Sequence, residues 1–409
     1  MIMKTSIWLL IAVASMLVPL ACTDQPVNPD TDSYSYKKAA LVQQNNRFSL
    51  QIFSEITKNE TDETNVFVSP LSMYYALAMA ATGSDTETRA EFEALLGWEN
   101  RTEEEVLELM LNLYTELMPQ KDKLTLAIAN SLWQRNGFPV FNSYKDTVHK
   151  FFDAEIQSLD FNDQQAVAII NAWIESKTQG LITDMLDQLS PDAVMYLINA
   201  IYFKGDWKYV FEPDDNLQAV FYKADGSTET VTYMNQKTHL NYLKNDLFTS
   251  VQLPYTDSSY CMTLLLPDPS VGIDGLLTVL NTENWTSWKK AYEMSEVTVA
   301  LPKFKFAFGL RNINQELNDL GLVSAFNPIA ADFSKISDQQ INISRVLHKA
   351  YIEVNEQGSE AAAATVVEFE YTSNDGQKTL SLNRPFVFAI EHKPTQTLLF
   401  IGKVAFPEY

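Results

Sequence analysis

The stretch "GSEAAAATVVEFEY", residues 358–371, carries the marks of three different structures. Four consecutive alanines favour helix, and the valines, phenylalanine and tyrosine after them favour strand. Thr372-Ser373-Asn374-Asp375-Gly376 then favours an exposed turn. Read as a strand, the segment sorts by parity. Ser359, Ala361, Ala363, Thr365, Val367, Phe369 and Tyr371 form one face without a charge. Glu360, Ala362, Ala364, Val366, Glu368 and Glu370 form the other, with all three glutamates. A strand with one face on a core and the other in water has this pattern. No proline interrupts residues 358–384, so the segment is free to make full ladder hydrogen bonds. Taken alone, the pattern also fits an ordinary edge strand followed by a turn.

The chain around this segment has 409 residues, 46% of them hydrophobic and 12% aromatic, enough to bury a substantial core. Its 52 acidic residues against 30 basic ones give a net charge of −22. That balance argues against nucleic acid or another polyanion as partner, because such partners need a cationic surface. At the N-terminus, Lys4 precedes an uncharged run from Ile7 to Ala21, followed by Cys22. A positive start, an apolar stretch and a small residue before the cut mark an export signal over residues 1–21. The Cys after "VPLA" resembles the lipidation site of a bacterial lipoprotein, with simple secretion as the alternative. The implied location is a bacterial outer-membrane or cell-surface lipoprotein, or a secreted protein, touching membrane only through a lipid at Cys22. Residues 22–38 then read as a polar tether, and residues 39–409 as the folded domain. Cys261 is the only other cysteine and lies in an apolar run, so it reads as a small core residue and no disulfide framework exists.

Helical spacing marks residues 41–58, then a short strand at 65–68, a helix starting at Ser69-Pro70 and stopping at Gly83, and a second helix capped at Asp85 or Thr86. Residues 103–118 read as an amphipathic helix with an acidic first turn. Residues 124–134 and 193–207 read as buried strands. "SVQLPY", "YCMTLLLPD" and "EVTVALPKFKFAF" read as further strands, with a helix near 313–322. "PFVFAIEH" and "TLLFIGKVAF" read as a closing hairpin. Helices first and strands later predict one α+β domain. No G-x-S-x-G, H-E-x-x-H, phosphate-cradling loop or C-x-x-C is present, and the four histidines lack metal-ligand spacing. The sequence therefore gives no positive sign of an enzyme, a metal or a cofactor.

"HKAYIEVNEQGSEAAAAT" (348–365) resembles the hinge of inhibitory serpins. "NVFVSPLS" (65–72), "NAIYFKGDW" (199–207), "LPKFKF" (301–306), "ADFSKIS" (331–337), "RPFVFAI" (384–390) and "LLFIGKV" (398–404) follow in that family's order and approximate spacing. The resemblance implies an α+β serpin fold with three β-sheets, eight or nine helices and an exposed reactive-centre loop. It also implies a suicide inhibitor of serine proteases acting as a monomer, with papain-like cysteine proteases as a second target class. In that family the loop is bait before cleavage and an inserted sheet strand afterwards.

Residues carry over one by one. Gly358, Ser359, Glu360, Ala361, Ala362, Ala363, Ala364 and Thr365 match the hinge, with Glu356 at its base and Lys303 as its salt-bridge partner. Ser69, Ser72, Asn199 and His348 match a polar cluster beneath the point where the sheet opens, and Trp207 matches the aromatic at the top of the sheet. The family's spacing places the reactive bond at Thr372-Ser373 counting forward, and at Asn374 counting back from Pro385. Cleavage after Thr372 would suit elastase- or subtilisin-like proteases, and cleavage after Phe369 or Tyr371 chymotrypsin-like ones. A non-inhibitory serpin that binds or carries a ligand is the alternative, though such relatives typically interrupt the run of small residues seen here.

Overall fold

The computed structural model describes residues 29–119, 124–190, 192–359 and 378–409. The first half is mainly helical: α1 (Pro29–Lys58), β1 (Val66–Val68), α2 (Pro70–Thr82), α3 (Thr86–Leu96), α4 (Glu103–Leu117), β2 (Leu124–Arg135), α5 (Asn142–Phe152), β3 (Glu155–Leu159), α6 (Gln164–Lys177) and β4 (Met195–Asp206). The second half is mainly strand: β5 (Leu217–Tyr222), β6 (Thr228–Lys244), β7 (Phe248–Pro254), β8 (Tyr260–Pro267), then α7 (Gly272–Val279) and α8 (Thr282–Lys290). It ends with β9 (Glu293–Pro302), β10 (Phe304–Asn312), α9 (Asn314–Asp319), β11 (Leu347–Val354), β12 (Gly358–Ser359), β13 (Lys378–Ser381), β14 (Phe386–His392) and β15 (Thr397–Val404).

Local chemistry sets many of these boundaries. Ser69 caps α2 by accepting from the Ser72 amide, with Pro70 in the first turn where a missing N–H costs nothing. Thr102 caps α4 at the Glu105 amide, and Gly97 closes α3 in the left-handed conformation. The run read as one strand from Glu296 to Phe308 is two strands. Pro302 ends β9, and the Lys303 amide turns away to the Thr232 carbonyl before β10 enters another sheet. Part of the expected tether is helical, because α1 begins at Pro29. Lys37 and Lys38 on that extension pair with Glu105 and Glu116 of α4 at 3.1 and 2.7 Å, giving a polar sequence a partner that local reading does not reveal.

Three sheets form among the described residues. Nine strands join in the order β1-β15-β14-β8-β7-β6-β9-β13, with β5 on β6. The closing hairpin β14–β15 lies inside this sheet, buried throughout. The second sheet is β12-β4-β2-β3 and the third is the antiparallel pair β10-β11. A cluster built on Trp133, Phe161, Ile170, Trp173 and Ile182 packs α6 against the four-stranded sheet, while the main core includes Ile201 of β4. Strand β4 therefore has apolar cover on both faces, which is why its sequence is nearly continuously apolar. No ladder joins β4 directly to β11 among the described residues.

Candidate functional site

The unjoined edges of β4 and β11 define the site. At its upper end the chain leaves β11, and Gly358–Ser359 pair antiparallel with Asp206–Gly205 of β4. Glycines permit the approach from both sides. A Cβ on Gly358 would lie 2.1 Å from the Gly205 carbonyl oxygen, and one on Gly205 would lie 2.7 Å from the Tyr255 ring. The Ser359 hydroxyl lies 3.1 Å from Tyr255 Oη, whose acidity is suppressed mainly by burial. Trp207 stacks on Tyr255 with ring centroids 4.7 Å apart. Its indole N–H donates to the Asn355 carbonyl at 2.9 Å, and its amide donates to the Gln357 carbonyl at 2.7 Å. The root of the hinge is thus tied to the end of β4 by backbone and side chain together.

Glu356 and Lys303 meet there, with Nζ 3.1 Å from Oε1, and both are buried. Asn216 Nδ2 donates to the same carboxylate oxygen at 2.5 Å. Charges so dry are tolerated only when paired and hydrogen-bonded. Nothing in the local sequence pointed to Asn216 or Tyr255, which lie 140 and 104 positions from their partners.

Lower down, the Ser69 hydroxyl donates to the Leu399 carbonyl at 2.8 Å, and the Ser69 amide donates to Nε2 of His348 at 3.2 Å. That nitrogen is an acceptor, so the ring is neutral; burial pushes the His348 pKa down to about 4. Ser72 donates to the Asn199 side-chain oxygen, and Asn199 donates to Asn130 Oδ1 at 2.6 Å. Asn130 in turn holds the Phe152 carbonyl at 2.7 Å. Asn130 is the residue opposite Asn199 in the β2–β4 ladder, an addition to the four polar residues that sequence reading picked out. A cavity of about 290 Å³ lies beside this network, lined by the first half of β4, residues 340–348, α2 and the segment before β4.

Cys22, Glu360, Ala361, Ala362, Ala363, Ala364, Thr365, Phe369, Tyr371, Thr372, Ser373 and Asn374, singled out in the sequence, lie outside the described residues. Cys261 is buried in β8, where desolvation pushes its thiol up to about 12. Among the described residues no group of three or more His, Cys, Asp or Glu is placed to hold a metal.

A family profile described as "Serpin (serine protease inhibitor)" matches residues 43–407. The chain belongs to the serpin family. A serpin-like protein of Methanosarcina acetivorans is 33% identical over 94% of this chain and 91% of its own length. Human antithrombin-III is 32% identical over 90% of this chain and 82% of its own. Among solved structures, the thermophilic serpin tengpin in its native state is 34% identical and covers 89% of this chain and 94% of its own, with a TM-score of 0.81. Tengpin in its latent state scores 0.76. Thyroxine-binding globulin in complex with thyroxine scores 0.81 at 25% identity, covering 91% of this chain and 100% of its own. Serpins are generally protease inhibitors and not catalysts, with non-inhibitory members such as thyroxine-binding globulin in the same family.

Proposed function

We propose that this serpin is a suicide-type inhibitor of serine proteases of elastase-, subtilisin- or chymotrypsin-like specificity. The observation that carries the reading is the seat of the hinge: Gly358–Ser359 already lie on the end of β4, at the mouth of an edge that no described strand closes. In this reading a protease serine Oγ attacks the carbonyl of Thr372, and the C–N bond to Ser373 breaks. The amine leaves with the C-terminal fragment, and an acyl-enzyme ester remains. The freed segment then enters between β4 and β11. Residues 359–372 span about 45 Å as a strand. Carrying the tethered protease that far would pull apart its triad and oxyanion hole, which need near-ångström placement, and hydrolysis stops at the ester. The uncleaved form is a kinetic trap in this scheme.

The remaining parts of the reading are that Cys22 is lipidated, or the chain simply secreted, that residues 1–21 are removed, and that the inhibitor is monomeric. Residues 23–409 incubated with elastase, subtilisin, chymotrypsin and trypsin test the central claim on denaturing gels. The expected result is a band stable in SDS near the summed mass, with the released peptide fixing the cut at Thr372 or at Phe369, Tyr371 or Asn374. Papain belongs in the same panel for the second target class. Clean cleavage with no complex across the panel would favour a binding or carrier role, the class represented by thyroxine-binding globulin.

A further inference from the structure

The last residue of the sequence meets the hinge root from outside. The ring of Tyr409 lies with its centroid 4.3 Å from Nζ of Lys303 and 5.0 Å from Nζ of Lys305. Its hydroxyl donates to Oε1 of Glu353 at 3.1 Å. Glu353 faces Lys305 across the β10–β11 ladder, and the Lys305 amide donates to the Glu408 carbonyl at 2.6 Å. Tyr409 is 45% exposed while Lys303 beneath it is 3% exposed. The aromatic face thus forms the solvent-side cover of the cation that holds Glu356. A ring over a desolvated ammonium attracts it, and excluding water strengthens the ion pair underneath.

We infer that Tyr409 is a positioning residue for loop insertion, acting through Lys303 to hold the Lys303–Glu356 pair dry and so setting how readily residues 356–359 leave their native seat. The inference rests on the insertion reading above. It predicts an order set by the ring and not by bulk: tryptophan holds at least as well as tyrosine, phenylalanine nearly as well, and leucine poorly.

The test compares the chain with its Tyr409→Trp, Tyr409→Phe and Tyr409→Leu variants during mild heating, reading on urea-gradient gels the rate of conversion to a urea-resistant form. Tyr409→Leu is expected to convert about tenfold faster than the parent, the loss of one partly desolvated cation–π contact. Its conversion should accelerate further with added salt, because the exposed pair becomes open to screening. In a Lys303→Met background the effect of Tyr409→Leu should shrink markedly, to what its contacts with Lys305 and Glu353 supply, which a purely structural role would not produce. Equal rates across the series, or an undiminished effect of Tyr409→Leu in the Lys303→Met background, would overturn the inference. If the leucine variant does not fold, the comparison of tryptophan with phenylalanine, with and without Lys303→Met, decides in the same way. Proteolytic nicking of the parent chain separates the two claims. A nicked parent with no gain in urea resistance removes the insertion reading itself. A nicked parent that gains resistance, beside variants that all convert alike, removes only the role of Tyr409.

Discussion

Glu356 is a negative charge that the fold keeps dry, and among the described residues its carboxylate is held by Lys303 Nζ and Asn216 Nδ2 on one oxygen. Reversing it to lysine would set two ammonium groups together without water, and losing one partner of such a pair costs about 3–5 kcal/mol. Glu356→Lys should therefore release the hinge, giving premature insertion or polymers on native gels; a monomer with full inhibition would refute this. His348 poses the opposite problem, a neutral ring that cannot easily take a proton. Its pKa is about 4 in the fold against 6.5 ordinarily, so between those values the unfolded chain binds the extra proton. Stability is thus lost as pH falls from about 6.5 towards 4, by up to about 3 kcal/mol from this group. The urea midpoint should drop over that window, and the drop should shrink in His348→Gln. An identical pH slope in both proteins would show that another group is responsible.

At the scale of elements, the sequence was readable wherever local chemistry decides the structure. Ser69-Pro70 starts α2, and the apolar runs that become β2, β4, β14 and β15 need both faces covered to make sense. It was not readable where distant partners decide. Residues 29–38 are polar, yet helical, with Lys37 and Lys38 paired to Glu105 and Glu116, and the break at Pro302-Lys303 sends one apparent strand into two sheets. The site divides in the same way. Ser69, Ser72, Asn199, His348, Trp207, Lys303 and Glu356 could be named from the family's motifs. Asn130, Asn216, Tyr255 and Tyr409 matter only through contacts made across the chain. The hinge segment also yields a prediction that rests on the proposed insertion and on strand chemistry. Proline at Ala363 removes a ladder donor and fixes φ, which costs about 3 kcal/mol wherever the backbone bond is needed. Insertion slowed by that amount, more than a hundredfold, would lose its race with deacylation. Ala363→Pro should be cleaved at the wild-type rate without forming an SDS-stable complex, and undiminished complex formation would argue that the segment does not insert.

For the whole molecule, the question is whether the uncleaved form is held above its minimum. The four-stranded and two-stranded sheets come together at β4 and β11 with no ladder between them among the described residues, beside a cavity of about 290 Å³, and the network around His348 bridges the region with hydrogen bonds that can be exchanged. A strand entering there would face backbone groups on both sides and lay the uncharged face of residues 359–371 on the core. If about ten new backbone bonds each contribute about 1 kcal/mol net, the gain is of order 10 kcal/mol before any apolar burial is counted. Each kcal/mol moves the melting midpoint of a chain this size by about 1.2 °C, so nicking the loop should raise it by roughly 12 °C. Cutting a chain ordinarily destabilises it by freeing an end, so the sign of the change is the discriminating quantity. A scanning calorimetry trace of the intact chain beside the elastase-nicked chain measures it directly. A higher midpoint after the cut would mean that the uncleaved fold is held above its minimum by a barrier. An equal or lower one would mean that β4 and β11 stay apart, and that the family fold is used here for binding without a trap.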